Sequence, residues 1–437
     1  MLPKTTWLIR VGVIAVLAGY AESVGAAGFA LSEQSASWLG NAYAGQAASA
    51  QDATTVFTNP AGMSFLPERQ PQVVVGVAGI DFSSKFGTSG GSSIPALATA
   101  TGSRPGGNGG NAGSMIAVPN LYATLPVGGK FDVGLGISVP FGLKTEYDDS
   151  WIGRFQGIKS DLTTINYNLA VAYKVTETIS FGAGVNYQFL QADLTNAVAT
   201  PAGEGRTELL AQDGAWGWNL GAIFQVSPDM RIGASYRSRL NYTLEGTVNT
   251  TFAGNGAAVP GGSFVASADA TFPDMFSLSI AQKLGNKWDL LADITYTHWS
   301  VLQQINIVNT ANGATRDQLV LNFQDAWRLS LGLNYHLSES WILRGGLAWD
   351  QSPVQDRYRT VRLPDNDRYW LALGASYRPA KTGLGFDVGY AYIWFPSTSI
   401  NTSRTQFGVP PALGTSTVVG DYKSFVNVLA VQVSYTF

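Results

Sequence analysis

The chain has 437 residues, 50 of them glycine and none cysteine, with 13% charged and 12% aromatic residues and a formal net charge of −3. Soluble chains carry about 25% charged residues, and no apolar run here reaches the roughly 18 residues that a transmembrane helix needs. Strands with one apolar and one polar face account for both facts, while the missing cysteines exclude a disulfide framework and thiolate chemistry, and the charge gives no reason to expect nucleic acid.

At the N-terminus, Lys4 and Arg10 precede a short apolar core from Val11 to Ala21, and Val24 and Ala26 stand at the −3 and −1 positions of a cut before Ala27. This is the pattern of a cleaved secretory signal peptide over residues 1–26. An exported, aromatic-rich, cysteine-free chain suits the Gram-negative outer membrane. The next forty or so residues are rich in Ala, Ser and Gly and in turn signals. Ser32 and Glu33 can begin a short helix. Asn59–Pro60 forces a turn, because proline fixes its φ and lacks an N–H.

Past Arg69 one pattern recurs: apolar or aromatic residues alternate with small, polar or charged ones. Fourteen such segments lie near 70–82, 115–127, 130–139, 162–175, 178–193, 213–226, 229–247, 264–284, 287–307, 317–337, 340–353, 367–379, 383–397 and 422–437. In "LVLNFQDAWRLSLGLNYHL", Leu319, Leu321, Phe323, Trp327, Leu329, Leu331, Leu333, Tyr335 and Leu337 are assigned to one face of a single strand. Six tight connections alternate with seven longer ones. An all-β, 14-stranded antiparallel transmembrane β-barrel has that property, with its short turns in the periplasm. Trp288 and Trp341 follow short turns and Trp394 lies near a long connection, where aromatic girdles are expected. The terminal strand ends in Phe437, a C-terminal aromatic of the kind that the barrel assembly machinery reads.

The face opposite the apolar one is then the interior. It carries Asn166, Asn168, Lys174, Asn186, Gln188, Arg231, Arg237, Arg239, Glu245, Asp289, Asp293, Gln324, Arg328, Arg344, Asp350 and Arg368. Both signs are present, as expected of side chains that pair across a lumen. Two histidines, His298 and His336, stand without partners at any motif spacing, so neither a metal site nor an enzyme is expected. No cofactor is implied. The Gly-rich "GGNGGNAG" lies in a loop with no helix after it and is not a phosphate loop.

The segment "AAGFALSEQSASWLGNAYAGQAASAQDATTVFTNPAGM" resembles the N-terminal hatch of the FadL family, outer-membrane transporters of long-chain fatty acids and of toluene-type hydrocarbons. The blocks "VPFGLKTEYDDSWIGRFQG", "SYRSRLNYTLEG", "FPDMFSLS", "YTHWS", "DAWRLSLGLNYHLSESWILRGGLAWDQSPV" and "LPDNDRYWLALGASY" are similar to that family in the same order. The resemblance implies a small helical hatch over residues 27–68 plugging a barrel formed by 69–437. It further implies that an apolar ligand lands among the extracellular loops, passes to a pocket beside the hatch, and leaves sideways into lipid. Sideways exit spares an apolar solute the cost of entering periplasmic water.

On this resemblance the gate comprises Ala27, Gly28, Phe29, Asn59, Pro60 and Ala61, with the last three touching an inward kink of the third strand. That kink is assigned to Gly134 and Gly136, since glycine within a strand permits a bend. Candidate pocket residues are Phe141, Trp151, Arg154, Arg328, Arg344, Trp370 and Lys423. A buried carboxylate calls for a cationic partner, yet no Arg or Lys matches the family's basic positions with certainty. Long-chain fatty acid is therefore the first expectation, neutral aromatic or alkane hydrocarbon the alternative, and a surface-binding protein or phage receptor a third. Outer-membrane lipid and lipopolysaccharide would surround a monomer.

Overall fold

The computed structural model describes residues 28–254 and 257–437. The expected signal peptide and Ala27 lie outside the described residues. Twenty strand pieces form one sheet that closes as a 14-strand antiparallel barrel. β1 is Gln72–Thr88 and β2 is Met115–Val127, while β3 runs Phe131–Ser138, breaks, and resumes as Gly142–Glu146. β4 (Lys159–Lys174), β5 (Ile179–Thr200) and β6 (Gly203–Ser227) are continuous. β7 is Met230–Arg237 plus Leu240–Gly254, and β8 is Ala257–Phe272 plus Met275–Leu284. β9 is Trp288–Thr297 plus Gln304–Asn309, and β10 is Ala314–Val320 plus Ala326–His336. β11 (Trp341–Asp350) and β12 (Arg368–Tyr377) are continuous; β13 is Leu384–Trp394 plus Thr398–Thr405, and β14 is Thr415–Thr436.

β14 pairs with β1 from Gln72↔Thr436 to Thr88↔Gly420, so no edge strand is left to satisfy. Two outward aromatic belts mark the membrane boundaries. Trp288 stacks near Tyr335 and Trp341 near Tyr377 at the short-turn end, and Trp394 lies near Tyr369 at the other. Several expected long loops are instead strand. The hairpin of β5 and β6 stays paired to Thr200↔Gly203, so the stretch 194–212 is a ribbon that rises past the girdle.

The interrupted strands carry the main departure from simple alternation. Side chains alternate with period two, so an odd displacement at a break exchanges the faces. In β8, Phe276, Leu278 and Ile280 face out, whereas beyond the break Phe272, Ala270 and Ala268 are buried inside. In β10, Trp327, Leu329 and Leu331 face out, while Phe323 is buried and Leu321 packs beside it in the interior cluster. The expected single face from Leu319 to Leu337 is thus corrected: the chain leaves the sheet between Val320 and Ala326, and Leu319 and Leu321 line an interior cavity. In β7, Arg237 lines the interior, Arg239 is exposed, and Leu240, Tyr242 and Leu244 are buried. Arg239 and Glu245, assigned to the lumen by unbroken alternation, are therefore outside it. Above the breaks these strands show the bore a hydrophobic surface.

A second irregularity interrupts the hydrogen-bond ladder of the wall. β2 and β3 pair only from Val127↔Phe131 to Leu121↔Ile137. Beyond that point Met115–Asn120 pairs with β1 alone, and Gly142–Glu146 pairs with β4 alone. The two sides meet again where Glu146 N donates to Ala112 O at 2.9 Å. A gap in the backbone ladder, packed by Ile116, Val118 and Val139 and here termed the window, therefore lies between β2 and the Val139–Phe141 turn. Gly134 and Gly136 do not make it, since both are paired on either side within regular strand.

Candidate functional site

Residues 28–71 fold inside the barrel as two short helices, α1 (Ala36–Leu39) and α2 (Thr55–Thr58), and two 3-10 turns, Pro60–Phe65 and Pro67–Arg69. Asn59 caps the first 3-10 turn by accepting from Ala61 N at 3.1 Å. Its amide donates to Ala47 O at 2.6 Å and to the β6 and β7 carbonyls of Ala222 and Ala234 at 3.1 and 3.3 Å. Glycines on the inner wall give the hatch its seat. A Cβ at Gly221 would stand 1.8 Å from Asn59 Oδ1, one at Gly182 2.3 Å from Ala61 N, and one at Gly233 1.9 Å from Ala47 O. At Gly134 a Cβ would meet Val56 and Met63 at 2.5 Å. The two glycines assigned to a bend thus make room for the hatch (Gly134) and for the Tyr122 ring (Gly136).

The inward turn of β3 is held by the start of the hatch. Gly142 N donates to Phe29 O and Leu31 N to Pro140 O, both at 2.8 Å. Gln34 clasps Val139 from both sides, donating to its carbonyl at 2.7 Å and accepting from its N–H at 3.2 Å. Asn59, Pro60 and Ala61, expected at this contact, instead press on β5, β6 and β7. Gly28 N donates to Asp365 Oδ2 at 3.0 Å, and Asp365 also accepts from Ser352 Oγ at 2.6 Å and Arg368 Nη2 at 2.5 Å. Gly28 has φ +65°, and a Cβ there would meet the Trp299 ring at 2.9 Å, so glycine alone suits this tuck.

Phe29 fills the centre of an aromatic layer. Its ring lies 4.7 Å from Trp299, 5.0 Å from Phe272, 6.0 Å from Phe141 and 6.5 Å from Phe323. Above this layer is a pocket with about 860 Å³ of space, counting the solvent it opens to, walled by Phe29, Leu143, Leu190, Leu209, Leu244, Ala268, Ile307, Leu321 and Leu363 among others. Phe29 comes from the hatch and Leu363 from the β11–β12 connection, while the strand breaks, together with β4 to β6, turn the others inward. The polar exceptions are Ser160, Thr360 and Arg362.

Arg362 comes from the connection between β11 and β12 and is 7% exposed. Its guanidinium donates to Lys159 O at 2.8 Å, Ser160 Oγ at 3.0 Å, and Thr195 O and Asn196 Oδ1 at 3.2 Å, all uncharged acceptors. Its Nε has no partner, and no carboxylate lies within ion-pair distance among the described residues. Burial, with Arg404 adding repulsion and the more distant Asp317 offsetting it in part, pushes its pKa down to about 9. Arg362 also borders a second cavity at the loop end, with about 890 Å³ of space counting the solvent it opens to, lined by Phe155, Phe264, Arg316 and Phe407 among others.

The expected pocket residues divide. Phe141 belongs to the aromatic floor. Trp151 stacks on Tyr147 at 3.9 Å within the loop core and does not line the pocket. Arg154 is spent on Glu204, at 2.7 and 3.0 Å, and on two carbonyls. Arg344 binds Ser376 and Gln51 below, near Asp387. Arg328 lies between the rings of Tyr43 and Trp370, beneath the aromatic layer. Lys423 is exposed opposite Lys85 on the outer face, because its neighbours Tyr422 and Val426 take the inward positions. Arg362 is absent from the sequence-derived set: a loop arginine has no periodicity to mark it.

A general porin needs an open bore; this bore is stoppered, and the space left above the stopper is hydrophobic. The class so defined is an outer-membrane barrel that passes hydrophobic molecules. The chain belongs to the outer membrane protein transport family (OMPP1/FadL/TodX), whose model matches residues 15–437. It is 34% identical over 406 residues to Outer membrane protein P1 of Haemophilus influenzae, covering 84% of this chain and 86% of that one. It is 30% identical over 426 residues to the long-chain fatty acid transport protein of Escherichia coli strain K12, covering 87% and 91%. Among solved structures, a Pseudomonas aeruginosa FadL homologue superposes with a TM-score of 0.85 at 23% identity, over 94% of this chain and 100% of that one. The Pseudomonas putida toluene transporter TodX shares the fold, with a TM-score of 0.68 at 18% identity over 94% and 100%. The protein is an outer-membrane transporter of hydrophobic molecules and not an enzyme.

Proposed function

We propose that the cargo is a long-chain fatty acid, captured in the loop-end cavity and held in the apolar pocket with its carboxylate on Arg362. The observation that carries this reading is the lone buried guanidinium of Arg362, which faces both cavities and is met by neutral acceptors only. Each methylene moved from water into the pocket is worth about 0.8 kcal/mol, and a charge-assisted hydrogen bond fixes the head. Phe29 closes the way down. Withdrawal of the Gly28–Leu31 segment opens the pocket toward the β2–β3 window and the bilayer.

The test compares binding of oleate and methyl oleate to the purified protein by calorimetry. Wild type is expected to prefer oleate by roughly tenfold, and Arg362→Met to abolish the preference while binding the ester as before. Equal affinity of wild type for both would assign the pocket to neutral hydrocarbons. That second reading is favoured by the apolar remainder of the lining.

A further inference from the structure

Beneath the aromatic layer lies another chamber, with about 950 Å³ of space counting the solvent it opens to, bordered by Leu31, Thr58, Pro140, Asn219, Arg237 and Arg328 among others. Trp299, which packs on Phe29 at 4.7 Å, forms part of its roof, and Pro140 belongs to the lip of the β2–β3 window. Unlike the pocket above, this chamber mixes polar side chains into its apolar lining, and several of the polar groups are unmet. Arg237 Nη1 is buried without a partner, and its Nη2 donates only to Phe57 O at 3.0 Å. The guanidinium lies over the Phe57 ring at 4.3 Å, and no carboxylate pairs with it among the described residues. Asn219 stands directly across from Arg237 in the β6–β7 register. It is 3% exposed, and neither its Nδ2 nor its Oδ1 has a partner. Thr58 Oγ1, on the hatch side of the same chamber, is buried and unmatched too.

Three other interior arginines are compensated by carboxylates. Arg368 has Asp365 and Asp350, Arg344 has Asp387, and Arg328 is under the influence of Glu33, Asp293 and Asp350. Buried polar groups are satisfied by protein or water, so the unmatched ones here call for a partner from outside the chain. Two adjacent donors, one of them cationic, form a cradle for an oxyanion.

We propose that Arg237 and Asn219 form a second carboxylate station, which receives the head group after it leaves Arg362 and holds it while the acyl chain passes through the window. This rests on the fatty-acid reading. It adds that the charge is never carried through the barrel unpartnered: it moves from one guanidinium to another across the Phe29 layer.

The experiment follows delivery of oleate and of methyl oleate into the bilayer of proteoliposomes containing the full-length protein. Arg237→Met is expected to slow oleate delivery about tenfold, to leave methyl oleate delivery unchanged, and to leave oleate affinity at the Arg362 pocket unchanged. Asn219→Asp, which supplies a fixed carboxylate beside Arg237 without removing it, should slow oleate in the same way and covers the case of a misfolded Arg237→Met. Heat-modifiability on gels reports folding of each variant. Unchanged oleate delivery in folded variants, or equal slowing of acid and ester, overturns the station. Equal calorimetric affinity of wild type for oleate and methyl oleate overturns the fatty-acid reading instead.

Discussion

Glu33 lies in the hatch, 3% exposed, and its Oε2 has no partner. Burial pushes its pKa from 4.5 up to about 7, offset in part by Arg368 and Arg328, with Asp350 reinforcing the rise and Tyr43 close enough to feel its charge. A raised acid favours the folded site while protonated: the contribution is complete below 4.5 and is lost as pH climbs through about 7. The difference corresponds to about 3 kcal/mol. The seated hatch should therefore loosen between about pH 5 and pH 8. Hydrogen exchange at Phe29–Ser35, corrected for intrinsic rates, should lose protection over that range in wild type and show a flat profile in Glu33→Gln. An identical slope in the variant would remove Glu33 from the account.

Among elements, the connection between β11 and β12 does two jobs a few residues apart. Arg362 borders the pocket, and Asp365 holds Gly28 N at the tip of the hatch. A hydrogen bond to a charged group contributes about 1.5–3 kcal/mol. Asp365→Ala should accordingly raise amide exchange over Gly28–Gln34 by roughly 10- to 100-fold, with the β1–β14 seam unaffected. Protection that stays at the wild-type level would show that the clasp of Gln34 on Val139 is sufficient alone. The broken strands illustrate another property of elements: periodicity marks a strand, but only the parity of its break decides which face meets lipid. Tyr242 and Leu321 look like lipid-facing residues in the sequence, and both line the interior.

Seen at the level of the whole molecule, barrel and hatch are joined by shape as much as by bonds. Gly182, Gly221 and Gly233 sit where hatch backbone or the Asn59 amide touches the wall. Wild-type protein in a planar bilayer should pass little steady ion current, because the bore is filled. In Gly221→Val the added atoms collide with Asn59, so the hatch should unseat while the closed wall survives. The measurement is conductance: an increase in the variant with unchanged heat-modifiability is expected, and a quiet, folded variant would mean that the wall yields to the side chain.

Fourteen strands, antiparallel closure and the outward belts were legible because lipid imposes a two-residue period on every membrane-crossing strand, and that period is written locally. The stopper was legible through the resemblance of residues 26–63 to a known hatch, rather than through any physical signal in those residues. What tertiary structure alone decided was where the wall fails and where it turns hydrophobic inside. The bend lies at Val139–Phe141 and not at Gly134, because Phe29, Leu31 and Gln34 supply the hydrogen bonds that β2 no longer gives. Arg362 becomes the pocket's cation through its burial beside Lys159, Ser160, Thr195 and Asn196, neighbours more than a hundred and sixty positions away in the chain. Alternation is a property of neighbouring residues, whereas desolvation, compensation of charge and the parity of a break depend on what closes around a side chain from elsewhere in the barrel.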